Sequence, residues 1–211
     1  MIHEDAFASS RLNESQTSAL VARLWESMSS PVNMANIARD VDVSHEAVAQ
    51  HVASLRDAYL LWACPQKADK GWVARERAQD KLYAIDPIVA RLAHLRNPAR
   101  PDIDTTVLAE MQIGMALRRS AAASGLPWTA EEPLFYLRTP NRKEIDFVSE
   151  SLCGTAVEGK YVDRGKWRAE AATVEASDFT GILATRSVLD CKNPDSTWAV
   201  PAAILAFLVD T

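Results

Sequence analysis

Arg142-Lys143-Glu144-Ile145-Asp146-Phe147-Val148 and, beyond a polar turn through Ser149, Glu150, Ser151 and Gly154, Thr155-Ala156-Val157-Glu158-Gly159-Lys160-Tyr161 are the two runs around which the chain is organised. Each alternates residue by residue, Ile145 and Phe147 against Asp146 and Val148, Val157 and Gly159 against Glu158 and Lys160, which is the period of a strand. Glu158 and Lys160 therefore share a face. Paired as a hairpin, the strands set Asp146 beside Glu158, and two adjacent carboxylates in a partly apolar sheet are costly unless a cation joins them. Hard oxygen ligands of this kind hold Mg²⁺ or Mn²⁺; the metal lowers the pKa of a bound water, and a nearby lysine orients that water or neutralises developing charge. The same residues also read as solvated charge on a hairpin surface, and the spacing alone leaves both readings open.

The 211 residues, 48% of them hydrophobic, suffice for one large domain or two small ones. No apolar run approaches the roughly 20 residues of a membrane span. Met1-Ile2-His3-Glu4-Asp5 lacks the basic and apolar regions of a signal peptide, so a soluble cytoplasmic protein with no membrane partner is expected. Cys64, Cys153 and Cys191 are odd in number and far apart, which predicts buried free thiols rather than disulfides or a zinc site. The net charge is −5; residues 1–100 hold 12 Lys/Arg and 12 Asp/Glu, leaving 11 and 16 for residues 101–211. That balance argues against strong general affinity for nucleic acid, though not against local basic patches. Neither a Gly-x-x-x-x-Gly-Lys-Ser/Thr run nor a Gly-x-Gly-x-x-Gly run is present, so no bound nucleotide is expected.

Outward toward the N-terminus, residues 1–12 read as a lead-in. Asn13 is placed to cap a helix over about 14–29, with Gln16 at the capping-box position and Leu20, Val21, Leu24, Trp25 and Met28 as its apolar stripe. A helix near Asn33, a turn at Asp42-Val43-Ser44 and a helix with Val48, Val52, Leu55 and Tyr59 on one side make a helix-turn-helix pattern. Leu60 to Ala63, a polar tip from Pro65 to Gly71, and Trp72-Val73 or Lys81 to Ile85 returning, complete a winged helix spanning 13–98. The exposed face of its second helix, with His45, Glu46, Gln50, His51, Ser54, Arg56 and Asp57, is poor in cations for gripping phosphate. This module reads as well for packing or protein interaction as for DNA.

The proline-rich run Asn97-Pro98-Ala99-Arg100-Pro101 marks the boundary to a second domain over 99–211. A long helix over about 104–123 carries Val107, Leu108, Met111, Met115 and Leu117, with Glu110 inside or at the edge of that stripe. Leu134 to Arg138 is a strand, followed by the basic loop with Arg142 and Lys143. Arg164, Lys166 and Arg168, flanking Trp167 at a helix start, read either as a phosphate-gripping group or as a solvated helix end. Gly181 to Thr185 is a doubly buried strand. Trp198 to Val200 is the last, and Pro201 opens a closing helix. The expected fold class is α/β (α+β), a winged helix-turn-helix followed by a mixed sheet flanked by helices.

Glu110 on a helix, Asp146 in Glu-Ile-Asp-Phe-Val and Glu158-Gly159-Lys160 at the end of the next strand resemble the signature of the restriction-endonuclease-like PD-(D/E)XK superfamily. More closely, the chain from about residue 13 is similar to the C-terminal half of bacterial and archaeal AAA+-type ATPases that carries the domain of unknown function 4143. Ile37-Ala38-Arg39-Asp40-Val41-Asp42-Val43-Ser44, Leu55-Arg56-Asp57-Ala58-Tyr59-Leu60-Leu61 and Lys81-Leu82-Tyr83-Ala84-Ile85-Asp86-Pro87 carry that second likeness. The resemblance implies Asp146 and Glu158 as metal ligands for Mg²⁺ or Mn²⁺, Lys160 as the water-orienting partner and Glu110 as a supporting carboxylate. It implies a metal-dependent nuclease acting on DNA or, in the alternative, a non-catalytic nucleic-acid- or protein-binding module that works with an ATPase. Two positions depart from the pattern: Gly159 stands where a β-branched residue is usual, and Ile145 replaces a proline.

Overall fold

The computed structural model describes residues 12–99, 101–123, 134–139, 143–163, 167–193 and 196–210. Among them are seven α-helices, a two-stranded sheet and a five-stranded mixed sheet, an α+β fold. The chain forms two compact units, one of residues 1–63 and 79–103, the other of 64–78 and 104–211.

In the first unit each helix starts where a side chain satisfies an otherwise orphaned N–H. Helix α1 (Glu14–Glu26) opens on a capping box: Gln16 N donates to Asn13 Oδ1 at 2.9 Å and Asn13 N to Gln16 Oε1 at 3.3 Å. Asn33 caps α2 (Met34–Asp40) and Ser44 caps α3 (His45–Asp57) in the same way, each accepting at 3.1 Å. Asp42, at φ +52°, makes the turn between them. Strands β1 (Leu61–Cys64) and β2 (Lys81–Ala84) then pair, with Trp62 stacked on Tyr83 at 4.8 Å, and α4 (Pro87–Arg96) follows. This is the order of a winged helix-turn-helix. Two expectations for α3 fail. His51, placed on the exposed face from sequence, is 1% exposed. Tyr59, placed inward, lies beyond the helix end at φ +54° and is exposed, because the helix stops at Asp57 and the chain reverses there.

In the second unit, α5 (Thr105–Ala123) precedes an antiparallel meander of β3 (Phe135–Arg138), β4 (Glu144–Val148) and β5 (Thr155–Gly159). Helix α6 (Trp167–Glu175) crosses over to β6 (Thr180–Thr185), which lies parallel to β5; β7 (Trp198–Pro201) lies parallel to β6 and runs into α7 (Ala202–Val209). The strand order is β3-β4-β5-β6-β7. The β4–β5 turn is tightened by a 3₁₀ turn at Glu150–Leu152 and closed by Cys153 and Gly154, both at positive φ. Phe135, Ile145, Val148, Ala156 and Val174 form one apolar cluster; Trp167, Ala171, Leu183, Val188 and Ala199 form another. Gly181 leaves the room that α6 needs, since a Cβ there would meet Val174 Cγ1 and stand 2.8 Å from Thr197 Oγ1.

Residues 64–78, which include the expected wing tip from Pro65 to Gly71, fold with this second unit. They form a small hairpin in which Lys67 bridges Ala74, Ala68 N donates to Val73 O and Arg75 N donates to Gln66 O. Its first arm runs parallel to β3: Tyr136 N donates to Pro65 O at 3.0 Å and Lys67 N to Tyr136 O at 2.8 Å. The three cysteines are free, but only Cys64 is buried; Cys153 and Cys191 are exposed, because one falls in a turn and the other beyond a strand end.

Candidate functional site: an acidic pair where two strands part

Strands β4 and β5 pair at Val148↔Ala156 and Phe147↔Val157, and continuing that register sets Asp146 opposite Glu158. From there the side chains hold the strands together. Asp146 N donates to Glu158 Oε2 at 3.1 Å, and Gly159 N donates to Asp146 Oδ2 at 2.8 Å. Each carboxylate thus accepts a backbone N–H of the opposite strand. Lys160 Nζ lies 3.0 Å from Glu158 Oε1. These are not solvated hairpin charges: Asp146 is 6% and Glu158 1% exposed, whereas the Lys160 side chain keeps 37%.

Burial dominates the electrostatics. Loss of hydration, and then the adjacent Asp146 charge, push the Glu158 carboxyl up from 4.5 to about 7, against the opposing pull of Lys160 and of the Asp146 N–H. For Lys160, burial works to lower its pKa but is outweighed by Glu158, Asp146 and Glu170, so the ammonium is held above its ordinary range. Glu170 sits in the first turn of α6, and only the crossover brings its charge to bear on Lys160; no local pattern in the sequence marks it.

Glu110 is buried in α5, 6% exposed, rather than reaching solvent from the stripe's edge. It lies against Gly159: a Cβ on that glycine would stand 3.3 Å from Glu110 Cβ and Cγ and 3.4 Å from Asp146 Oδ2. Gly159 therefore lets a helix side chain and a strand carboxylate close on one point of the backbone. The structure brings together Glu110, Asp146, Glu158 and Lys160. Among the described residues no three His, Cys, Asp or Glu side chains form a group able to hold a metal ion. Two adjacent carboxylates fit an ion such as Mg²⁺, which takes one or two protein carboxylates and completes its shell with water and phosphate oxygens. They do not make an all-protein cage.

Of the basic residues singled out for nucleic acid, Arg142, Arg164 and Lys166 lie outside the described residues. Lys143 is exposed just before β4. The Arg168 guanidinium lies 4.6 Å from the Trp167 ring centroid and is paired with Asp190 at 2.9 Å, so its charge is partly spent within the fold. No described helix is long and apolar enough to cross a membrane.

Fold and site together define an α+β protein with a winged helix-turn-helix unit and a mixed-sheet unit whose central hairpin carries a buried carboxylate pair and a lysine. No protein-family model, no curated protein and no solved structure matches the chain.

Proposed function

We propose that the point where β4 and β5 part is a Mg²⁺- or Mn²⁺-dependent phosphodiester-hydrolysing site acting on DNA in the cytoplasm. The observation that carries this reading is the juxtaposition of Asp146 and Glu158 in a buried sheet, with the Glu158 carboxyl pushed to about 7. Two like charges forced together away from water oppose folding, and a divalent cation relieves that cost. Supporting it is the order of helix, three antiparallel strands, crossover helix and parallel fourth strand, which sets the acidic hairpin in the middle of the sheet.

Asp146 and Glu158 would hold the ion. When bound, such an ion neutralises phosphate charge and supplies a water of lowered pKa. Lys160, cationic at neutral pH and more exposed than the acids, donates hydrogen bonds to the attacking water or to a phosphate oxygen. Gly159 keeps the approach to Asp146 free of a side chain. Calorimetric titration of Mn²⁺ and Mg²⁺ tests the site: binding in the wild type is lost in Asp146→Ala and Glu158→Ala, while Lys160→Ala binds metal and no longer cleaves. Metal-dependent cleavage that persists in Asp146→Ala ends the proposal.

One observation favours a second reading. Both carboxylates already accept N–H groups of the facing strand, and Glu158 also engages Lys160, as in a structural clamp. A non-catalytic module working with an ATPase or other protein partner then shows no divalent-metal effect and is found by the partner that co-purifies with it.

A further inference from the structure

The hairpin over residues 64–78 is a stretch of net positive charge in an otherwise acidic protein. It carries Lys67, Lys70, Arg75 and Arg77 against Asp69 and Glu76, a balance of +2, while α3 carries Arg56 against Glu46 and Asp57, a balance of −1 with histidines neutral. If phosphate contacts govern affinity for nucleic acid, this hairpin attracts it and α3 does not. Its cations are held in place. Trp72 packs against the Phe135–Ile145–Val148 cluster and meets Phe179 edge-on, with their centroids 6.1 Å apart, and Lys67 Nζ lies 5.0 Å from the Trp72 centroid. Lys70 and Arg77 are exposed, and neither is ion-paired among the described residues. Arg77 is moreover held at φ +58°, a left-handed conformation that glycine adopts without strain and arginine does not.

The hairpin is also close to the acidic pair. Tyr136, which bonds to Pro65 and Lys67, lies on β3 between the pairs Leu137↔Ile145 and Phe135↔Val148, at the level of Asp146 and Phe147 on β4. The hairpin's first arm, which carries Lys67, is therefore two strand spacings, about 10 Å, from the strand bearing Asp146, with Lys70 in the tip and Arg77 past the second arm. We propose that the 64–78 hairpin, through Lys70 and Arg77, binds the phosphate backbone of a nucleic acid along the edge of the sheet that carries the carboxylate pair. The choice of nucleic acid over another polyanion rests on the function proposed above.

The experiment is fluorescence anisotropy of a labelled single-stranded oligonucleotide and of its duplex, in EDTA, over a range of salt. Lys70→Gln/Arg77→Gly is expected to weaken binding roughly tenfold or more at low salt and to reduce the slope of log K against log salt by about 1.4 on single strands and about 1.8 on duplex. Arg77→Gly alone should weaken binding while raising the melting temperature, opposite signs that a merely structural role does not produce. The charge-matched pair Arg39→Gln/Arg56→Gln on α2 and α3 should bind like the wild type. A wild type that binds neither oligonucleotide, a hairpin variant indistinguishable from it, or loss confined to the α2/α3 pair would overturn the proposal. Displacement by polyglutamate as effective as by unlabelled oligonucleotide would overturn nucleic acid as the partner. EDTA removes divalent metal, so binding is read there without cleavage; oligonucleotides that are bound but stay uncleaved when Mg²⁺ or Mn²⁺ replaces EDTA would refute the nuclease reading alone.

Discussion

Glu158→Gln removes a carboxyl whose ionisation is opposed by its surroundings, and its effect on stability should depend on pH. A carboxyl pushed up on folding binds its proton more tightly in the native chain than in the unfolded one. Below 4.5 both states are protonated and nothing is lost; from 4.5 to about 7 the unfolded chain ionises first and stability falls; above that the loss is complete. The gap between 4.5 and about 7, at 1.36 kcal/mol per pH unit, corresponds to about 3 kcal/mol. Lys160 does not disturb this window, because its raised pKa affects stability only above its ordinary value of 10.5.

The assay is urea unfolding in EDTA at fixed pH between 4.5 and 8, on the wild type and on Glu158→Gln. The wild type should lose about 3 kcal/mol more than the variant across that range. Other groups, including His51, whose pKa is lowered chiefly by its burial, are common to both proteins and cancel in the difference. Two curves that run parallel over the whole range would refute the argument that burial and Asp146 hold a proton on Glu158.

Asp146→Asn keeps an oxygen for the Gly159 N–H but removes the like charge, so at pH 8 it should unfold about 1 kcal/mol harder than the wild type, read by the same urea series. Gly181→Ala should cost about 1–3 kcal/mol by forcing apart Val174 and Thr197, and Val174→Ala in the same background should recover part of it, as paired thermal melts would show. Gly159→Val drives a branched side chain into Glu110 and Asp146 and should lower stability by about 1–3 kcal/mol, with Gly159→Ala falling between it and the wild type. Asn13→Ala removes the capping box of α1 and should cost about 1 kcal/mol in urea unfolding.

What the sequence showed was local. Asn13 with Gln16, Ser44, and Pro201 ahead of an apolar run state their own boundaries through caps and fixed φ, and the helices and strands begin within a residue or two of those signals. The hairpin register followed from alternation around a short turn. Burial did not, because Asp146 and Glu158 alternate with apolar residues as surface acids do; helices packed on the sheet hide both of its faces, and that is a tertiary fact. The same limit hid His51 and Glu110. The 64–78 hairpin was misplaced for a different reason: Pro65 to Gly71 reads as a polar tip until β3, 70 residues on from Gln66, offers an edge to pair with, and no local signal marks a parallel bridge.

A sheet of this size has no structural need for buried acids. Replacing buried ionic groups with apolar residues of similar volume is often neutral or stabilising, yet here two carboxylates and a lysine occupy the point where β4 and β5 part. Satisfied hydrogen bonds explain how the arrangement survives but not why both acceptors carry charge, since an asparagine and a glutamine would accept the same N–H groups. On the reading proposed above, a carboxylate pair that holds a divalent cation and a cationic hairpin on the same sheet would together bring a polyanion to a metal ion.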